Sequence, residues 1–301
     1  MHIVNIILAF IMFGVALEIK FNDFKQVFYK PKSLLLGLGC QLIGLPLITF
    51  LIVAAGYNFI PPGVAMGMIL VAACPGGNMS NFLSSLAKAN VPLSVSLTGV
   101  TTILAVIMTP LNFKIWGGLY VNFLSKRSDE LLQPITISLP QMLFTLTILL
   151  ILPITLGIAF AHFFPKAKDK IVKPVKVVSL IAFFGILVGA VSSNMDIFLH
   201  NLFYIFIIVL VHNGVALTLG YGVGLIFKRS PADRRSLMIE TGIQNSGLGL
   251  ALLFNPKIFP AGIVTGGMLM VVAWWGVWHI ISGLIVAFIS RQRYKKYRQT
   301  V

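Results

Sequence analysis

Acidic side chains are what this sequence has least of, with 8 Asp+Glu against 23 Lys+Arg and a formal net charge of +15. In a soluble chain that imbalance would point to a nucleic-acid partner. Here the basic residues sit in clusters between long apolar runs, as the topology of a membrane protein requires, so no nucleic acid is expected. Cysteine is almost absent, and Cys40 and Cys74 both lie in apolar stretches, which excludes a disulfide framework and a thiolate metal site. His/Glu pairs at metal-ligand spacing and a persuasive Ser/His/Asp set are missing too, so the chain is not expected to be an enzyme. No soluble signalling domain of the kind a sensor appends is evident, and nothing calls for an obligate protein partner. The start, Met1-His2-Ile3-Val4, lacks the basic n-region of a secretory signal, and the first apolar run is expected to be retained.

What the chain has in abundance is apolar sequence. It is 57% hydrophobic and 10% charged over 301 residues, with a mean hydropathy of +0.94, the profile of an all-α polytopic membrane protein in a lipid bilayer. Nine spans are expected, at 2–19, 33–55, 63–88, 92–113, 134–164, a sixth overlapping the lysines from Lys166 to Lys176 and ending near Asp196, then 198–227, 236–254 and 260–289. Residues 114–133 read as an amphipathic interfacial linker and 291–301 as a basic tail. Alternate loops then hold 19 of the 23 Lys+Arg, leaving Lys114, Lys126, Arg127 and Lys257 on the other side. That partition places the N-terminus outside and the C-terminus in the cytoplasm of a cell membrane, the bacterial inner membrane on this reading.

Two spans are interrupted. The third contains Ala73-Cys74-Pro75-Gly76-Gly77-Asn78-Met79-Ser80-Asn81, and the eighth contains Ile239-Glu240-Thr241-Gly242-Ile243-Gln244-Asn245-Ser246-Gly247. Proline removes a backbone donor and glycine tolerates unwound backbone, so each stretch suits a helix broken at membrane depth. Being five apart, the two spans cross in opposite directions, as in an inverted-topology repeat with discontinuous helices near the midplane. Glu240 is the only carboxylate well inside an apolar span, where its charge costs several kcal/mol unless compensated. Ser80, Asn81, Ser94 and Thr98 offer neutral oxygens beside that charge, and the four-residue step from Ser94 to Thr98 puts both hydroxyls on one helical face. A hard cation such as sodium suits such a set. Gln41 and Gln244, with the carbonyls of Thr241 and Ile243, could complete a second cage. A proton relay through Glu240 is the alternative within transport.

Several motifs carry a family resemblance: Cys74 to Asn81, Asn90-Val91-Pro92-Leu93-Ser94-Val95-Ser96-Leu97-Thr98, Glu240 to Gly247, and Trp278-His279-Ile280-Ile281-Ser282-Gly283. Together they resemble the bile acid:sodium symporter family over nearly the whole chain. The resemblance implies a panel domain (1–32 and 134–196) and a core domain (33–113 and 197–290) that move against each other in alternating access. It implies two co-transported sodium ions, the first taking Ser80, Asn81, Ser94, Thr98 and Glu240, the second Gln41, Glu240, Thr241, Ile243 and Gln244. It further implies a small organic anion as substrate, a bile-acid-like molecule, steroid conjugate or small carboxylate such as a pantoate-like acid, contacted by Asn78, Asn245 and His279. A proton-coupled or exporting carrier of the same fold is the alternative, with an intramembrane enzyme or sensor more remote. Asn78-Met79 departs from the family's usual Thr followed by a small residue, and that departure bears on the substrate.

Overall fold

The computed structural model describes residues 2–17, 31–77, 79–127, 139–192, 195–259 and 265–300. Among them every regular element is a helix: α1 (His2–Ala16), α2 (Lys32–Ala55), α3 (Pro62–Ala73), α4 (Met79–Leu86), α5 (Val91–Ser125), α6 (Leu139–Phe163), α7 (Pro165–Ser192), α8 (Met195–Ile226), α9 (Pro231–Gly242), α10 (Ser246–Leu253) and α11 (Gly266–Thr300). α2, α5, α6, the Phe203–Ile226 part of α8 and the Gly266–Tyr294 part of α11 are each long and apolar enough to cross a bilayer. Large apolar side chains stand in the open on their outer faces, with Ile43 at 61%, Ile107 at 61%, Phe144 at 66% and Phe203 at 79% exposure. Water would penalise that surface heavily, whereas lipid does not. The expectation of an all-helical membrane protein holds.

The helices sort into two packing groups. α1 lies against α6 and α7, while α3, α5, α8, α9, α10 and α11 pack mainly among themselves and with α2 and α4. Contact between the groups runs chiefly through α5 on α6, α7 on α11 and α1 on α10. The densest seam joins α8 to α9, where a Cβ on Gly220 would come within 2.2 Å of the Leu237 carbonyl oxygen. Only a residue without a side chain lets those two backbones approach so closely.

α2 and α6 each contain a π turn, at Cys40–Gly44 and Thr147–Ile151, just before Pro46 and Pro153. A proline inside a helix cannot donate to the carbonyl four residues back, and the widened turn is a usual way of absorbing that defect. In α2 the stranded carbonyl is that of Leu42, and Asn112 of α5 satisfies it through Nδ2 at 2.9 Å.

Some span boundaries differ from expectation. α5 does not stop at 113 but runs on to Ser125, because Phe113, Gly117, Tyr120 and Leu124 continue a buried stripe at helical spacing while Lys114 points outward. The expected linker is therefore helical over its first part, and its remainder from 128 lies outside the described residues. α11 likewise continues through the basic segment to Thr300 instead of releasing a separate tail at 291.

Candidate ion-binding site

The two interrupted spans meet. α3 stops at Ala73 and α4 begins at Met79, and α9 stops at Gly242 and α10 begins at Ser246. Across the gap Gly77 N donates to the Ile243 carbonyl at 2.7 Å and Asn245 N donates to the Pro75 carbonyl at 2.8 Å, an isolated antiparallel bridge centred on Gly76 and Gln244. Backbone groups freed by unwinding two helices thus satisfy each other in the protein interior, which is the condition for irregular backbone at membrane depth. The approach is tight. A Cβ on Gly77 would stand 2.9 Å from the Gln244 carbonyl oxygen.

Glu240 lies in the last turn of α9, a turn before the break itself, and is fully buried. Its Oε1 accepts from Ser80 Oγ at 2.6 Å, from Ser94 Oγ, and from Thr98 Oγ1 at 3.0 Å, and its Oε2 lies 3.1 Å from Thr98 Oγ1. Asn81 Oδ1 stands 3.0 Å from Ser94 Oγ and 3.2 Å from Thr98 Oγ1. Thr98 Oγ1 also lies 3.1 Å from Ser80 Oγ and 3.1 Å from the Ser94 carbonyl. The structure therefore gathers Ser80 and Asn81 from α4, Ser94 and Thr98 from α5, and Glu240 from α9 into one cluster.

That cluster has more oxygen contacts than protons to fill them. A hydroxyl carries one hydrogen, so three hydroxyls supply three protons to eight oxygen–oxygen approaches. Most of those approaches are oxygen facing oxygen without a hydrogen between. Lone pairs held together around a carboxylate are what a small hard cation binds.

On the other side of the carboxylate the arrangement differs. Gln41, in the π turn of α2, lies beside Glu240, and neither its Oε1 nor its Nε2 completes a well-formed hydrogen bond. A Cβ on Gly76 would sit 3.0 Å from both Gln41 Oε1 and Glu240 Oε2, so this glycine keeps open the space between them. Gln244 Nε2 donates to the Thr241 carbonyl at 2.8 Å, which leaves Gln244 Oε1 buried without a donor. The Ile243 carbonyl is engaged by Gly77, with a second lone pair remaining. The five residues expected around a second cation therefore gather at the crossing, mostly through amide and carbonyl oxygens.

The residues expected to touch a substrate fare unevenly. Asn245 is the N-cap of α10, its Oδ1 accepting from Leu248 N at 3.0 Å, while its Nδ2 is buried without a partner. His279 of α11 is buried with Nδ1 unpartnered, and Gly283 one turn on lies against Leu83 and Ile243. Asn78 lies outside the described residues. His212 is a packing group, its Nε2 2.7 Å from Thr49 Oγ1 and its ring edge-on to Trp275.

Sequence reasoning missed a second polar cluster, at the N-terminal end of α9. Asp233 accepts from Asn90 Nδ2 at 2.8 Å and Ser33 Oγ at 2.7 Å, Ser236 Oγ donates to the Asn90 carbonyl at 2.8 Å, and Asn90 caps α5. These contacts tie the ends of α2, α5 and α9 together. The signal was present in Ser230-Pro231-Ala232-Asp233, a helix-start pattern whose Ser230 Oγ accepts from Asp233 N.

Comparison with known proteins finds relatives of this chain that are named as sodium-dependent transporters and sodium cotransporters. A sequence profile of the Sodium Bile acid symporter family matches residues 5–201, which include Ser80 to Thr98 and stop short of Glu240. The chain is 33% identical over 298 residues to the uncharacterized sodium-dependent transporter YocS of Bacillus subtilis, covering 97% of this chain and 84% of that one. It is 30% identical over 246 residues to the "Probable sodium/metabolite cotransporter BASS1, chloroplastic" of Arabidopsis thaliana, covering 81% of this chain and 57% of that protein. With the human sodium/bile acid cotransporter 4 it shares 29% identity over 250 residues, 82% of this chain and 54% of the relative. The chain thus spans little more than half the length of the plant and human proteins.

Proposed function

Since the chain belongs to the sodium bile acid symporter family, we propose that it is a secondary active transporter coupling two sodium ions to one small organic anion. Sodium dependence is common to the names of the bacterial, plant and human relatives. The observation that carries the reading to named residues is the shortage of protons around Glu240, where eight oxygen approaches share three hydroxyl hydrogens. Sodium replaces the missing protons. The first ion takes Ser80, Asn81, Ser94, Thr98 and Glu240; the second takes Gln41, Glu240, Thr241, Ile243 and Gln244.

Two ions against one carboxylate leave a surplus of one positive charge at the crossing. The N-termini of α4 and α10 add their partial positive charge there. An anion is the natural third occupant, and the unpartnered Nδ2 of Asn245 and Nδ1 of His279 are polar groups available to orient it. In this reading α3 with α4 and α9 with α10 each count as one broken span in a nine-span chain with its N-terminus outside. α1, α6 and α7 form the panel, and the helices gathered around the crossing form the core. Rocking of one group against the other exposes the site to each side in turn.

Proteoliposomes test this directly. Uptake of labelled organic anions should require an inward sodium gradient and quicken under an interior-negative potassium–valinomycin potential, since one net charge moves inward at about 2.3 kcal/mol per 100 mV. Uptake indifferent to sodium and to potential, yet driven by a pH gradient, would make Glu240 a proton relay and reject the sodium mechanism.

A further inference from the structure

Away from the crossing, a cavity of about 260 Å³ opens between α8, α9 and α11 at the end of the bundle where α9 begins. Arg234, Arg235 and Arg293 line it together with Tyr221, Met238 and Ile289. Among the described residues no carboxylate lines it. Both oxygens of the nearby Asp233 are taken by Asn90 and Ser33, and the ion pair found among the described residues, Lys168 with Asp169, lies elsewhere. Three guanidinium groups around one space repel each other unless an anion joins them.

Their existing bonds leave donors to spare. Arg235 donates to the Lys88 carbonyl at 2.5 Å and stands 5.8 Å from the centre of the Tyr294 ring, while its Nε is buried without a partner. Arg234 uses Nε on the Arg229 carbonyl at 2.7 Å. A guanidinium has five N–H donors in a planar fork that matches phosphate oxygens, so at least one fork from each remains available. The other walls are Pro231, Met238, Val286 and Ile289, with Tyr221 and Ser290 adding hydroxyl groups. On two of the same helices, Ile226 of α8 and Phe288 of α11 stand 74% and 64% exposed.

We propose that this cavity binds a phosphate group carried on an anionic phospholipid, the phosphate held by Arg234, Arg235 and Arg293 and the acyl chains lying along α8 and α11. Basic pockets between transmembrane helices at the membrane surface have this capacity. Arg235 and Glu240 share α9, so a bound headgroup would fix the helix that presents the buried carboxylate. The site does not depend on which ion or solute the crossing takes.

The test is thermal unfolding of the purified protein in neutral detergent, titrated with short-chain phosphatidylglycerol, phosphatidylcholine or inorganic phosphate. Phosphatidylglycerol should raise the midpoint by binding the folded state, and the other two should not. The R234Q/R293Q pair should weaken that response by roughly thirtyfold, at about one surface-charge increment per arginine. A charge-matched K166Q/K170Q pair, on exposed lysines of α7, should leave it unchanged. Should the arginine pair fold poorly, R293Q alone alters an exposed side chain and should weaken the response by roughly fivefold. An undiminished response in R293Q and in the pair, or an equal loss in the lysine pair, would overturn the site. An equal shift from inorganic phosphate would overturn the lipid assignment in favour of a soluble anion. An equal shift from phosphatidylcholine would overturn the role of charge.

Discussion

The two sides of the Glu240 carboxylate are built from different materials. On the side of α4 and α5, four polar side chains touch one another, three of them (Ser80, Ser94 and Thr98) reach the carboxylate directly, and each is positioned by a regular helix. On the side of α2 and the crossing, the oxygens come from two amide side chains and two backbone carbonyls, presented by a π turn and by an interrupted helix. The first group is specified by residue identity. The second is specified by backbone distortions that proline and glycine impose, so it should respond to substitutions that never touch an ion.

The largest effect should come from removing what the two sides share. Glu240→Gln keeps the shape and deletes the charge, so both groups lose the anion that balances a cation. Sodium should then no longer raise the thermal midpoint above the value in equal potassium, and sodium-driven uptake should be nearly abolished. A variant that kept its sodium-specific shift would place the ion elsewhere and dissolve the comparison.

Gly76→Ala separates the two sides. Its added methyl would stand 3.0 Å from Gln41 Oε1 and from Glu240 Oε2, crowding the second group on its open side, while Ser80, Ser94 and Thr98 are not among its nearest neighbours. Sodium activation of uptake should fall from a Hill coefficient above one toward one, with part of the sodium-dependent stabilisation retained. Complete loss of stabilisation would mean that the two groups form one site.

How far this was legible in the sequence divides along the same line. Glu240, Ser94 and Thr98 could be picked out because a carboxylate is conspicuous in an apolar span and because a four-residue step fixes a common helical face. The crossing was foreshadowed by Cys-Pro-Gly-Gly and by the glycine after Thr241, since local backbone chemistry is written in such residues. The Asn112 bond to Leu42 was not, because it joins residues far apart in the chain and depends on how α5 packs on α2. The run of α5 to Ser125 was missed because Lys114 looked like a helix end, whereas an outward lysine interrupts nothing on the buried face. The clamp around Asp233 was passed over for a different reason. Its residues look like ordinary caps until tertiary structure brings three helix ends together.

Thr98→Ala tests the side made of side chains. Thr98 Oγ1 meets Ser80, Asn81 and both carboxylate oxygens, yet supplies only a neutral dipole. Its loss should raise the sodium concentration for half-maximal uptake by about tenfold, the equivalent of about 1.4 kcal/mol, and lower the maximal rate less. Thr98→Ser, which keeps the oxygen, should restore the wild-type requirement. Failure of serine to rescue would assign Thr98 to packing.

The smallest and most indirect effect belongs to Asn112. Pro46 cannot donate to the Leu42 carbonyl, and the Asn112 amide at 2.9 Å takes the place of the missing N–H beside the π turn that presents Gln41. Asn112→Leu would keep most of the volume and leave that carbonyl without its donor, a loss of about 1–3 kcal/mol in folding stability. The thermal midpoint should fall in potassium as well as in sodium, since the bond exists in either. If the second group depends on backbone as argued, the sodium activation curve should also flatten, because a relaxed π turn no longer holds Gln41 beside Glu240, while the response to Thr98→Ala is retained. A lowered midpoint with an unchanged activation curve would show that Asn112 repairs the helix and nothing more, and the backbone account of the second side would then have to rest on Gly76 alone.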